Sequence, residues 1–217
     1  MADANQVHRS LSTSQTEILT SILALHCPEG IDADITFGNG AFWKSLPLPR
    51  RRFDIDPQVE GVEQASSTML PMDASSIGSA VFDPPFLTYV RQDREGNGKM
   101  IMARRFSGYW TFDELTEHYR ETLSECARVL KAKGVLVVKC QDIIHNHRMH
   151  AVHALVIAWA EFEGFRLRDL FVLGATHRLP SPNRRGKQKH ARVFHSYFLV
   201  FEKTANRLKH PHRTGTP

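Results

Sequence analysis

Apolar positions in this chain follow two rhythms. Spacings of three and four mark helices, while short uninterrupted apolar runs mark strands covered on both faces. Ser14-Gln15-Thr16-Glu17 reads as a capping box that opens a helix through about Leu25, with Ile18, Ile22 and Leu25 on one face. Ile31–Phe37 follows as a strand running into Gly38-Asn39-Gly40. Arg52–Ile55 is a second short strand, and Met69–Met72 and Ala80–Phe82 are two more, each ending at an aspartate. A further capping box, Thr111-Phe112-Asp113-Glu114, starts a long helix whose inner face is Leu115, Tyr119, Leu123, Cys126 and Leu130. Gly134 feeds the apolar run Val135–Val138, and a helix from about His147 to Glu163 comes next. Strands near Leu167–Leu173 and over His195–Phe201 complete the pattern. Strands alternating with helices predict an α/β fold: a mostly parallel sheet of about seven strands with helices on both faces.

The rest of the chain adds boundaries. Residues 1–12 and 204–217 are polar and are expected as flexible tails around a single domain over 13–203. Of the 217 residues, 41% are hydrophobic and 24% charged, a globular balance that argues against a disordered or fibrous chain. No apolar run approaches the ~20 residues that span a bilayer, and the first residues lack a signal-type segment. Cys27, Cys126 and Cys140 are scattered and odd in number, so neither a disulfide framework nor a zinc framework is legible. A reducing, cytoplasmic setting is the expectation.

Two segments carry chemistry. The first is Asp34-Ile35-Thr36-Phe37-Gly38-Asn39-Gly40, a strand end with closely spaced glycines that let backbone approach a ligand. Asp54 lies at the end of the next strand, where a carboxylate can take hydrogen bonds from ribose hydroxyls. A full G-x-G-x-x-G is missing because Phe42-Trp43 follows Ala41, so a ligand with ribose but no pyrophosphate is favoured. The second segment is Asp83-Pro84-Pro85-Phe86, also at a strand end. Consecutive prolines stiffen the turn and remove backbone donors, leaving an acceptor-rich corner suited to an amine. Phe86 offers a face for a planar ring.

With both segments in view, the chain resembles the class I S-adenosylmethionine-dependent methyltransferases that methylate amines, whose mark is [DNS]-P-P-[YFW]. The likeness spans roughly residues 30–203 and implies a Rossmann-like fold and S-adenosylmethionine as methyl donor. It implies that Asp34, Gly38 and Gly40 lie at the cofactor's methionine part, that Thr36 and Phe37 also bind the cofactor, that Asp54 (Asp56 as second choice) takes the ribose, and that Asp73 reaches the adenine. Asp83, Pro84, Pro85 and Phe86 become the catalytic turn, with Asp83 also beside the cofactor. Asp-type turns look most like adenine-N6 enzymes, and cytosine-N4 enzymes more often begin with Ser. The order of the two segments is similar to one permutation class of DNA methyltransferases, and Gln188–Arg192 with His195–Phe198 resembles small phage and mobile-element members. The expected target is therefore an exocyclic amine of a base in DNA, most simply adenine N6, with the base flipped out of its stack.

Charge points to a nucleic-acid partner. The net charge is +5, and Arg178, Arg184, Arg185, Lys187, Lys189 and Arg192 crowd one stretch between the last two strands without an acid among them. This loop, within residues 174–193, is expected to meet nucleic-acid phosphates of either polymer, and the resemblance puts DNA before RNA. A second long loop, residues 88–110, follows the catalytic turn and carries Arg91, Arg94, Lys99, Arg104, Arg105, Tyr89, Tyr109 and Trp110. It too is expected to face substrate. His145, His147, His150 and His153 are read as a helical face without a metal. The same catalytic turn also suits RNA amines or protein lysine and glutamine side chains, and a different class of reading is an inactive nucleic-acid-binding module.

Overall fold

The computed structural model describes residues 7–86, 88, 109, 111–176 and 188–205. Among these, eight strands form one sheet and two more form a separate hairpin. In chain order they are β1 (Leu11–Ser12), α1 (Gln15–His26), β2 (Ala33–Asp34), β3 (Arg51–Asp54), β4 (Glu63–Gln64) and β5 (Ile77–Phe82). Then come α2 (Phe112–Val129), β6 (Leu130–Cys140), β7 (Ile143–His145), β8 (Arg148–His150), α3 (Val152–Phe162), β9 (Phe165–Gly174) and β10 (His195–Lys203).

The sheet order is β1-β9-β10-β6-β5-β2-β3-β4. All neighbours are parallel except β10, which runs against both β6 and β9. From β2 the chain moves outward through β3 to β4, then returns to β5 on the other side of β2 and continues to β6. The strand order thus reverses between β2 and β5, which pair as Ala33↔Ala80 and Asp34↔Val81. Their carboxyl ends frame the crevice where open α/β sheets bind ligands.

Apolar residues divide between the two faces. Ala80, Phe82, Leu136 and Val138 point to the side covered by α2 and α3, through Leu115, Tyr119, Leu123, Val152 and Val156. Val81, Val137, Phe198 and Val200 point to the side covered by α1, through Ile18, Leu19 and Ile22. Thr111 caps α2 with a complete box, its hydroxyl on the Glu114 N–H and the Glu114 carboxylate on the Thr111 N–H. At α1 only half the box forms: Ser14 accepts from the Glu17 N–H, while Glu17 turns to the Ser12 hydroxyl.

Several elements differ from those the sequence pattern predicts. Leu25, placed on the inner face of α1, is exposed, and Leu19 is buried in its stead. No strand forms over Met69–Met72. The third parallel strand is Glu63–Gln64, and Leu70 and Met72 enter the core from a turn whose carbonyls are gripped by Arg128. The helix expected from His147 begins only at Val152, because Asn146 and His147 both take positive φ and close the β7–β8 hairpin. Part of the N-terminal tail is in place: β1 pairs with β9, and the His8 ring bonds the Ser21 hydroxyl. After the glycine turn a single 3-10 turn, Ala41–Trp43, stands where doubly wound folds carry a full helix. No helix among the described residues is long and apolar enough to cross a membrane.

Candidate active site

The glycine turn is built from the inside out. Asp34, the last residue of β2, is only 1% exposed. Its carboxylate accepts the Trp43 Nε1–H at 2.6 Å and the Thr36 N–H at 2.9 Å. Burial pushes its carboxyl up to about 7, the nearby Asp83 and Asp54 add to that, and the two donors pull against it. Asp34 therefore shapes the turn from within and does not reach solvent. Phe37 is buried as well, its N–H bonded to the Phe53 carbonyl. Its ring lies 3.1 Å from where a Cβ on Gly40 would sit, and Gly40 has φ +77, so both space and backbone demand glycine there. Gly38, at φ +57, has nothing within 4 Å of its would-be Cβ. That face of the turn is open.

Asp54, at the end of β3, stands beside this opening. One carboxylate oxygen accepts the Gly38 N–H at 2.7 Å and the other accepts the Asp56 N–H at 2.9 Å. Asp56 itself is exposed and engages Gln58, so Asp54 is the better placed of the two acids. Asp73 is not at this edge. It lies four residues before β5 begins, next to the turn held by Arg128 at the end of α2, hence at the amino end of the sheet. The residues that follow β4 are Ala65, Ser66 and Ser67, with no carboxylate.

Asp83 leaves the end of β5, and its N–H donates to the Thr36 hydroxyl at 2.8 Å. That bond stitches the proline turn to the glycine turn. Pro84 is buried, whereas Pro85 and Phe86 are half-buried at the rim. Burial drives the Asp83 carboxyl above its ordinary range, and Lys139, with its ammonium 3.5 Å from Oδ2, draws it back. Sequence reasoning missed Lys139 because a lysine near the end of a buried strand carries no motif. The register Phe82↔Val138 is what brings it alongside Asp83.

A second polar group sits further along the same edge. Asp142 is 4% exposed and accepts from the His153 ring at 2.7 Å and the Tyr197 hydroxyl at 3.2 Å. His153 stacks on Tyr197, and the His195 ring bonds the Tyr197 hydroxyl at 2.9 Å. Cys140 beside it is fully buried, and burial keeps its thiol protonated. Of the expected phosphate contacts, Lys189 and Arg192 are exposed at the start of β10, and Arg178, Arg184, Arg185 and Lys187 lie outside the described residues. From the second loop Tyr109 is described, with its hydroxyl on the His118 ring and its backbone bridged to Thr88. Arg91, Arg94, Lys99, Arg104, Arg105, Tyr89 and Trp110 lie outside. Among the described residues no group of three or more His, Cys, Asp or Glu is placed to hold a metal ion.

Residues 78–214 match the N6/N4 methyltransferase family model, described as DNA methylase. This chain belongs to that DNA methylase family. The match takes in the Asp83–Phe86 turn, and the glycine turn precedes it. No curated protein matched. Among solved structures, the complex of the Haloferax volcanii Trm112 methyltransferase activator with a candidate methyltransferase aligns at TM-score 0.52 and 16% identity, over 89% of this chain and 90% of that one. The N-methyltransferase NodS of Bradyrhizobium japonicum aligns at TM-score 0.50 and 15% identity, over 88% and 96%. A candidate DNA modification methylase from Thermus thermophilus aligns at TM-score 0.40 and 15% identity, over 65% of this chain and 51% of that one. The chain spans about half the length of the Thermus proteins it matches. The fold is that of class I S-adenosylmethionine-dependent methyltransferases, as the sequence leads one to expect.

Proposed function

We propose that this chain transfers a methyl group from S-adenosylmethionine to an exocyclic amine of a DNA base, adenine N6 in the first place. The observation that carries the reading is the single bond from the Asp83 N–H to the Thr36 hydroxyl, which fixes an open glycine turn against an amine-accepting corner at the strand switch point.

The residues present fit the cofactor. Open space over Gly38 leaves room for its methionine part, and each Asp54 oxygen keeps a lone pair free for a ribose hydroxyl. Asp34, Thr36 and Phe37 hold the turn in shape from beneath. When bound, S-adenosylmethionine supplies a sulfonium methyl; its transfer leaves a neutral thioether, and the accepting nitrogen sheds a proton to water.

The Asp83 carboxylate and the Pro84 carbonyl accept the two hydrogens of the target amine, which aims the nitrogen lone pair away from both. Phe86 at the rim stacks on the base. Asp83 acts mainly by alignment and by facing the positive charge that grows on nitrogen, so it needs no unusual basicity. A base inside a duplex cannot reach this crevice, so the target is flipped out or already single-stranded. Asp at the head of the turn favours adenine N6 over cytosine N4, and the family match favours DNA.

Incubation with labelled methyl donor and, separately, plasmid DNA, total RNA and cell lysate tests this reading. Label is expected in DNA. Label in RNA or protein alone would replace the substrate, and label in none of the three would remove the function.

A further inference from the structure

We propose that Lys139 is a positioning residue for Asp83: from near the end of β6 it balances the Asp83 charge and fixes the direction of the carboxylate that receives the target amine. The inference deepens the function proposed above and rests on it for the role of Asp83.

An ammonium taken out of water loses solvation that only a partner offsets, and the Lys139 side chain is only 12% exposed. On a sheet face otherwise lined with Val137, Phe198 and Val200, an apolar side chain would be buried without that penalty. The compensation Lys139 finds is specific. Its Nζ donates to Gln15 Oε1 at 2.9 Å and lies 3.5 Å from Asp83 Oδ2. The rings of Phe42, Phe198 and Phe86 stand 5.4, 5.5 and 6.0 Å from it, within cation–π range. Gln15 is itself held, since its Nε2 donates to the Phe42 carbonyl at 3.1 Å. The ammonium is thereby anchored from α1 and pressed against the catalytic turn.

The surroundings of Asp83 need such a cation. The ionisable groups that face it among the described residues are Lys139 from β6, Asp34 from β2 and Tyr119 from α2. Two of these are acidic and both are buried, so among the described residues only Lys139 offsets a negative charge on Asp83. Without it, Asp83 takes up a proton at higher pH. A protonated carboxyl turns one of its oxygens into a donor and no longer presents two acceptors to an amine.

Carbon-13 NMR of the side-chain carboxyls, with the Asp83 resonance assigned by its loss in Asp83→Asn, tests this on the protein alone. The Asp83 titration midpoint is expected to rise by at least about one pH unit in Lys139→Met, tenfold in its acid constant, and to return in Lys139→Arg. Lys139→Gln, neutral and of similar reach, carries the same expectation should Lys139→Met not fold. An unchanged midpoint overturns the proposal. In the turnover assay the acidic limb of kcat is expected to shift in parallel while KM for the methyl donor stays within about threefold; loss confined to donor KM would make Lys139 a cofactor contact instead. A shifted midpoint in a protein that methylates nothing would leave the pair intact and end the functional reading. Methylation with an unshifted midpoint would do the reverse.

Discussion

Asp34 carries the clearest single-residue consequence. Its folded-state carboxyl titrates near 7 because it is buried, against about 3.9 in an unfolded chain. Between those values the folded protein holds a proton that the unfolded chain has released, so this group makes stability fall as pH rises from about 4 to about 7. The slope approaches roughly 1.4 kcal/mol per pH unit where the difference is complete. In Asp34→Asn that component vanishes, and denaturant midpoints compared at pH 5 and pH 7.5 should decline less in the variant than in the parent. Equal declines would show that Asp34 is not buried as described. Residue-scale legibility was uneven for a physical reason. Asp83 could be found because its partners, Pro84, Pro85 and Phe86, are its neighbours in sequence. Trp43 and Lys139 could not, since what makes them matter is a 2.6 Å bond across a turn and a register between two strands.

At the scale of elements, the glycine turn is the part that should fail first when altered. Gly38 faces open space, so Gly38→Val pushes its side chain into the place proposed for the methionine part of the donor and also strains a φ of +57. Donor affinity by calorimetry should drop at least tenfold, about 1.4 kcal/mol, with little loss of secondary structure; unchanged affinity would move the cofactor elsewhere. The long elements were readable because their patterns were long: α2 has a complete capping box and β6 a continuous apolar run. Short ones were not. Met69–Met72 looks like a strand by composition, yet Leu70 and Met72 reach the core from a turn tied down by Arg128, and the strand role falls to polar Glu63–Gln64. Asp73, at the end of that segment, therefore lies before β5 and beside Arg128, away from the glycine turn. The hairpin at Asn146-His147 escaped because nothing in a run of histidines announces two positive φ angles.

Across the whole sheet, Lys189 and Arg192 stand exposed just before β10, whose start lies beside the end of β6 through the pair Tyr197↔Cys140. The ends of β2, β3, β5 and β6 lie along the same edge, where Gln141 bonds the His195 carbonyl at the start of β10. If the basic stretch meets phosphates, the affinity for DNA should fall steeply with salt. Replacing Lys189 and Arg192 together with Gln should lower the log–log salt slope by up to about two and weaken binding across unrelated sequences alike. A slope that does not change would free these residues from any phosphate role. The fold class and the order of the two chemical segments were legible from sequence, because alternation of strand and helix is a long-range pattern. How the two segments meet was not, since it depends on the pairing of β2 with β5, strands far apart in the chain.

The central claim is that the proline corner holds an amine of a DNA base for methyl transfer. Mass spectrometry of nucleosides digested from DNA, after incubation with S-adenosylmethionine and either the parent protein or Asp83→Ala, measures it directly. The account predicts N6-methyldeoxyadenosine from the parent alone, with donor affinity in the variant unchanged to within a few-fold. Methylated bases produced equally by both proteins, or by neither, would contradict it.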